Sequence, residues 1–433
     1  MIAGIYAEKR DDMRKGFAGK IRANNDLLYY LMLAVSLLLT VFAVILQPDM
    51  SLLTGLWKIQ LGHAGLITDP ICTGGPGAAL LNAALMLFCS TMLVRLQKMP
   101  FTGLTVACLF MMGGFALLGK NVFNSLPIML GGFLYACYKS EPFSKYTYMT
   151  LFGTCLSPMV SYFMLHTDVQ IHLIAMLLGG AVIGFVMPAV SGYMVRIHQG
   201  YNLYNVGFSA GFVGLALVSI LRGTGMEFQT QTSWSTEHDL PLTILMACIL
   251  LGLFILGVVL GCRKWSLYRR LLKHTGRAVS DFFVLEGMGA TFVNMALVGL
   301  VGLLYLKLVC VPLNGPLVCC LFAMVGFGAF GKHPRNIIPV MAGAVIAATF
   351  MPNLNITSPA VLLATLLCTG LAPIAGQFGG LWGMAAGFLH MAIVQNTSYL
   401  YAGLNLYNNG FSAGLTCVIM IPLIEALKSE PED

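Results

Sequence analysis

The chain reads as long apolar blocks parted by short polar turns. The blocks cover about 27–47, 77–96, 101–118, 122–138, 148–165 and 171–196, with a shorter one at 207–221. A second series covers 239–261, 284–306, 314–330, 335–351, 357–373 and 378–400, with a last block at 410–427. An α-helix needs roughly 20 apolar residues to cross the ~30 Å hydrocarbon core of a bilayer. The pattern therefore predicts an all-α integral membrane protein with about 12 full spans. The block closing each series, at about 15 residues, reaches only roughly 22 Å, which predicts two broken or half-helix segments. The interval 51–68 is too mixed to cross and is expected to lie at the interface. Its counterpart, Arg263 to Arg277, predicts a basic amphipathic helix on the membrane surface over 263–280.

Composition narrows the class. Of 433 residues 58% are hydrophobic and 9% charged, against about 25% charged in a soluble domain. Such a chain cannot keep a water-facing surface, which excludes a soluble enzyme, a nucleic-acid reader and a disordered scaffold. The net charge of +7 is not a nucleic-acid footprint, because 12 of the 24 Lys and Arg fall in two blocks, Lys9–Arg22 and Arg263–Arg277. Each block borders an apolar run, the pattern of cytoplasmic flanks. The 12 cysteines lie mostly inside apolar runs without CxxC or Cys/His spacing, and read as buried thiols. Neither a metal nor a cofactor is expected. The first apolar run is too long for a signal-peptide core and reads as a retained span.

The sequence contains itself twice. Shifted by 212, it matches itself without a gap from Asp69 to Gly131. Asp69 meets Asp281, Asn82 meets Asn294, Gly119-Lys120 meets Gly331-Lys332, and Asn124, Pro127 and Gly131 meet Asn336, Pro339 and Gly343. The shift becomes 215 at Thr154, Leu156 and Pro158, opposite Thr369, Leu371 and Pro373. It then drops to 203, where NLYNVGFSAG (Asn202–Gly211) faces NLYNNGFSAG (Asn405–Gly414) with nine of ten positions identical. Shared apolar composition does not produce matched Asn, Lys and Pro positions. The reading is a tandem duplication: repeat 1 over 27–222, a polar linker over 223–238, and repeat 2 over 239–428, with tails at 1–26 and 429–433.

Seven crossings per repeat is an odd number, so the two repeats are expected to have inverted topology. Charge tests this separately, because equivalent loops on opposite sides should differ in Lys and Arg. The loop at 48–76 has one basic residue and its partner at 262–283 has six; Lys139 and Lys145 follow the fourth block of repeat 1 and none follows its partner. These comparisons place both termini in the cytoplasm, the linker outside, and the chain in the cytoplasmic membrane as a multi-pass protein.

Two constellations carry candidate chemistry. The first is the paired NLYN motif. Asn, Gly and Ser suit a lipid-facing helix poorly, and paired broken helices in inverted repeats commonly frame a solute site. Asn202, Tyr204, Asn205, Gly207 and Ser209, with Asn405, Tyr407, Asn408, Gly410 and Ser412, are the candidate lining. The alternative is that they cap and pack a re-entrant hairpin, with Gly207/Gly211 and Gly410/Gly414 closing helix contacts. The second is the Gly-Lys element, where Asn124 and Asn336 are pocket candidates and Lys120 and Lys332 either bind an anion or flank a span by snorkelling. Acidic residues within spans are scarce. Glu286 is the one reasonable proton-coupling carboxylate, and His390 reads as a satisfied polar contact. No Walker A or HExxH sequence occurs, and ATP-driven pumping and catalysis are not expected.

At these two motifs the chain resembles a family of bacterial polytopic membrane proteins defined only as a domain of unknown function. It is more loosely similar to urea transporters, whose pore half-helices open on a Gly-Phe-Asn-Gly-type motif; Asn205 with Gly207-Phe208-Ser209, and Asn408 with Gly410-Phe411-Ser412, look like a reordered version. The expectation is a transport protein for a small polar, neutral or anionic solute, acting as a carrier or as a passive urea-transporter-like channel. An intramembrane enzyme or a non-transporting scaffold is the alternative from another class. Expected partners are the solute, membrane lipid and a second copy of the chain, and no nucleic acid.

Overall fold

The computed structural model describes residues 25–166, 171–228, 231–262 and 265–428. The expected tails therefore lie outside the described residues, apart from Asn25 and Asp26. Every regular element described is helical. The first series is α1 (Asn25–Leu46), then α2 (Ser51–Leu61), α3 (Pro70–Gly74), α4 (Pro76–Leu96), α5 (Gly103–Ala116), α6 (Val122–Tyr138), α7 (Thr147–Gly153), α8 (Ser157–His166), α9 (His172–Ile197) and α10 (Asn205–Gly223). The second is α11 (Asp239–Val259), α12 (Trp265–Leu271), α13 (Phe282–Leu285), α14 (Gly287–Leu308), α15 (Gly315–Phe327), α16 (Pro334–Phe350), α17 (Pro359–Leu367), α18 (Ala372–Phe378), α19 (Gly380–Thr397) and α20 (Asn408–Lys428).

Among the described residues nine helices are long and apolar enough to cross a membrane, and the chain is membrane-embedded. The expected 12 full spans are corrected on this point. The blocks at 101–118, 122–138, 314–330 and 335–351 form helices of 14, 17, 13 and 17 residues. Burial explains the shortest two. Every residue of α15 and nearly every residue of α5 is buried, so their surroundings are protein, and bilayer thickness does not set their length.

Three further expectations change. The two segments expected as half-helices, α10 and α20, have 19 and 21 residues, about 28–32 Å, because each helix begins inside the motif, at Asn205 and Asn408, rather than at the glycine. The interrupted helices lie elsewhere. The run from α7 to α8 turns through a 3-10 segment at Thr154–Leu156, and that from α17 to α18 through Cys368–Leu371. Pro158 and Pro373 follow, and neither has the N–H that would continue the helix. Finally, the basic interfacial helix expected over 263–280 is helical only over Trp265–Leu271. Gly276 ends any continuation: its φ is +78° and a Cβ there would stand 2.0 Å from the Gly331 carbonyl oxygen.

Matched positions make matched bonds. Asn82 Nδ2 donates to the carbonyls of Ala116 and Lys120, at 3.0 and 2.8 Å, and Asn294 Nδ2 to those of Gly328 and Lys332, at 2.7 Å each. Each Asn thereby clamps the turn after a buried short helix. Gln60 of α2 donates to Asn82 Oδ1, and the Tyr268 hydroxyl of α12 to Asn294 Oδ1.

The two short helices α5 and α15 pack on each other and run antiparallel. A Cβ on Gly103, at the start of α5, would meet Ala329 just beyond α15, and one on Gly315, at the start of α15, would meet Leu117 just beyond α5. Phe110 and Phe322 touch edge to face at 5.5 Å midway. Each start is held by the acid of the other series. Asp281 accepts from Gly103 N at 2.8 Å while capping α13. Asp69 caps α3 and accepts from the backbone of Ser235 and of Gly315. Around this pair α6 crosses α9 and α16 crosses α19 at backbone contact. A Cβ on Gly184 or Gly387 would stand 1.9 Å from the carbonyl oxygen of Ile128 or Val340.

Asp69 is fully buried in the loop between α2 and α3, and burial pushes its carboxyl from 3.8 up to about 6 despite the N–H groups that favour the anion. A carboxyl raised in the folded state contributes stability that is present at low pH and lost as pH rises through about 6. Asp69→Asn should flatten the change in unfolding free energy between pH 5 and 7.5, to which this group contributes about 1.4 kcal/mol of the roughly 3 kcal/mol lost between pH 3.8 and full ionisation above 6. Thermal unfolding in detergent at the two pH values measures it; equal slopes for both proteins would remove Asp69 as the titrating group.

Candidate functional site

The two NLYN segments break the chain in the interior. Residues 201–204 and 404–407 are non-helical, and α10 and α20 start immediately after them. The first Asn of each motif shapes the break: Asn202 Oδ1 accepts from Tyr204 N and Asn405 Oδ1 from Tyr407 N, both at 2.9 Å. The helices then cross at their first turns. A Cβ on Gly207 would lie 2.7 Å from the Tyr407 ring and 3.0 Å from Gly410 Cα. Asn202 Nδ2 ties the crossing by donating to the Gly410 carbonyl at 2.9 Å.

The second Asn of each motif anchors its helix to the preceding one. Asn205 Nδ2 donates to the Ser191 carbonyl and its Oδ1 meets His198 Nε2 at 2.9 Å. Asn408 Oδ1 accepts from Thr397 Oγ1 at 2.7 Å and from the Tyr401 hydroxyl. Ser209 and Ser412 hydroxyls return to the carbonyls of Asn205 and Asn408. Asn124 and Asn336 also serve the backbone. Each closes a capping box, with Asn121 and with His333, and donates to the carbonyl of Gly119 or Gly331 at 3.0 or 2.9 Å. Most of the candidate asparagines thus spend their groups on chain geometry.

The tyrosines and lysines are placed differently. Tyr204 and Tyr407 pack ring to ring at 5.0 Å in the middle of the crossing. Tyr204 also meets Phe327 edge-on at 5.0 Å, and Tyr407 meets Phe115 edge-on at the same distance. A fully buried lysine stands over each of those phenylalanines, Lys332 at 5.2 Å from Phe327 and Lys120 at 4.8 Å from Phe115. Neither is a snorkelling flank. The two constellations then diverge. Lys332 Nζ donates to the Tyr204 hydroxyl and to Thr369 Oγ1, the latter at 2.8 Å. Lys120 Nζ meets only Met112 Sδ, at 3.5 Å, among the described residues. The Tyr407 hydroxyl and Asn405 Nδ2 are buried without a partner there. Sequence reasoning missed Thr369 beside Lys332, and Thr154, which shares Met112 Sδ with Lys120; the T-x-L-x-P element matched at shift 215 was the signal.

A cavity of about 370 Å³ opens on the linker side, lined by His63, Ala64, Tyr162, Arg222, Gly403 and Leu404 among others. Its charged lining is Arg222 with the ionisable His63, and no Asp or Glu belongs to it among the described residues. Arg222 sits over the Tyr399 ring at 4.9 Å and donates to the Tyr399 carbonyl at 3.1 Å. The floor is close to the crossing. Gly403 and Leu404 directly precede Asn405, and a Cβ on Gly119, the neighbour of Lys120, would stand 2.9 Å from Ala64 Cβ. No local motif marks this cavity, which forms from four distant segments. Glu286 is engaged by Arg270 and His274, each at 2.9 Å, and His390 Nε2 meets Asn409 Oδ1 at 3.1 Å.

A family comparison fits this paired arrangement. Residues 49–223 and 263–426 match the family described as a protein of unknown function, DUF1576. The chain belongs to that family. No curated protein and no solved structure matches it, so the likeness to urea transporters stays on its reordered motif alone.

The unequal lysine sites predict unequal variants. Tyr204→Phe leaves Lys332 with one oxygen partner and should cost about 1.5–3 kcal/mol, the usual contribution of a hydrogen bond to a charged group. Tyr407→Phe removes a hydroxyl that bonds nothing and should be neutral or slightly stabilising. Unfolding of both variants in the same detergent decides it, and equal losses would contradict the asymmetry.

Proposed function

We propose that the protein is a membrane transporter for a small polar solute, neutral or anionic, rather than an enzyme. The observation that carries this reading is a pair of buried chain breaks set back to back beneath a cavity open on one side. Irregular backbone at membrane depth persists where it is enclosed by protein or lines a solute path. Buried ionisable side chains in a lipid-embedded bundle mark such paths by default.

The transporter is built from two homologous halves of opposite orientation, 27–222 and 239–428. The antiparallel packing of α5 on α15 and the exchanged caps of Asp69 and Asp281 support this arrangement. The charge asymmetry of equivalent loops supports an orientation with both termini in the cytoplasm and the linker, with the cavity, outside. The rings of Tyr204, Tyr407, Phe115 and Phe327 fill the crossing, which favours a gated path over a standing pore. Transport then requires the halves to exchange conformations, closing the cavity at Gly403 and opening the opposite side near Tyr201. Filled packing at the crossing also favours a second reading, a non-transporting scaffold.

Vesicles reconstituted with the full chain should swell faster than protein-free vesicles in a gradient of at least one of urea, glycerol, formate and nitrite, read by light scattering. Thr232→Trp, which places an indole in the cavity from its exposed rim, should return the rate toward the lipid leak. Protein-dependent swelling with none of the four would favour the scaffold. A cytoplasm-only reporter fused at the C-terminus should be active, and the same reporter within 225–237 silent; the reverse would overturn the orientation.

A further inference from the structure

We infer that Lys120, Tyr407 and Asn405 form a binding site for a small monovalent anion, reached from the Arg222-lined cavity. This rests on the transport reading and names the class of its solute. Three buried groups at one crossing are poorly met among the described residues: the Lys120 ammonium has only the Met112 thioether, the Tyr407 hydroxyl has no partner, and Asn405 Nδ2 faces only the Tyr401 hydroxyl, which is itself committed to Asn408. All three can donate, and the tyrosine hydroxyl can also accept; a cluster of donors with no carbonyl or carboxylate to receive them suits an anion. Phe115 connects the first two, with Lys120 above its ring at 4.8 Å and Tyr407 edge-on at 5.0 Å. Cys108, Cys155 and Cys319 are the other polar groups interacting with the ammonium, and thiols are weak acceptors.

The second half supplies an internal control. There the same Phe, Tyr and Lys are present, and Lys332 bonds directly to the Tyr204 hydroxyl and to Thr369. Asn202, the equivalent of Asn405, gives its amide to Gly410. The second centre is thus saturated by protein, and the first holds the same groups apart. A buried ammonium is stable only with an opposite charge or several oxygen partners, and at Lys120 the chain provides neither among the described residues. Size limits the occupant, since Phe115, Phe152 and Tyr407 close around the hydroxyl. The route agrees in sign. Among the described residues Arg222 lines the cavity with no Asp or Glu in the lining, and the cavity wall at Ala64 touches Gly119, one residue from the lysine.

The test uses the full chain in detergent, titrated with sodium chloride, bromide, nitrite or formate at ionic strength held constant with sodium gluconate. At least one of the four should raise the unfolding temperature in a saturable way. Lys120→Met should abolish the saturable rise. Tyr407→Phe keeps the ring and should fold as the natural chain does in gluconate, while raising the half-saturating concentration about tenfold; it carries the test if Lys120→Met does not fold. No saturable rise with any of the four, or an unchanged half-saturation in Tyr407→Phe, overturns the site. Saturable binding without flux of the same anion in vesicles would leave the site standing and remove the transport reading. Flux of urea or glycerol without anion binding would do the opposite.

Discussion

A bilayer interior offers no water to an unpaired peptide group, and the fold depends on that constraint more than on any single packing contact. Helix ends inside the protein are answered by asparagine side chains, from a neighbouring helix or from the break itself. Asn82 and Asn294 hold the turns after α5 and α15. Asn202 and Asn405 shape the breaks before α10 and α20. An apolar chain with 9% charged residues keeps asparagines at these positions because an amide presents both a donor and an acceptor without carrying charge into the core.

The same constraint gives weight to the difference between the halves. Lys332 and Lys120 occupy matched positions over matched phenylalanines, yet one has two oxygen partners and the other a thioether. The NLYN segments do not explain this, since they share nine of ten positions, and each lysine follows a matched glycine. The difference lies in how closely each tyrosine approaches its lysine across the crossing. It coincides with a second inequality: the break before α20 lies under the cavity, whereas on the opposite side Arg277 stacks at 4.3 Å over the Tyr201 ring beside the break before α10.

Much of this architecture is written in the sequence as self-similarity. The matches of Asp69 with Asp281 and of Asn82 with Asn294 fall on residues that make equivalent bonds, and Asn202 and Asn405 shape their chain breaks alike. Periodicity and block length informed less well. They counted α5 and α15 as spans, because a helix enclosed by protein is as apolar as one enclosed by lipid. They also passed over the turns at Thr154 and Thr369, where a single proline two to four residues later was the visible mark. The candidate site was legible as a set of residues but not as a division of labour. Which asparagines serve the backbone, and which donors remain unpaired, depends on distances between segments some 200 residues apart, and no local pattern encodes them. The cavity was invisible for the same reason.

Taken with the transport reading, the unequal lysines give the cycle an energetic handle. A ligand shifts a conformational equilibrium only by the difference in its affinity for the two states. If the halves exchange conformations, the saturated centre and the open centre exchange too, so protein bonds lost at one lysine are regained at the other. The empty protein then has little net preference between the two arrangements, which is what a carrier open alternately to each side requires. An anion at the open centre stabilises whichever arrangement holds that centre apart, and its release allows the tyrosine to close on the lysine. On that reading the near-identity of the two motifs serves the cycle, because only matched centres can trade places at low cost.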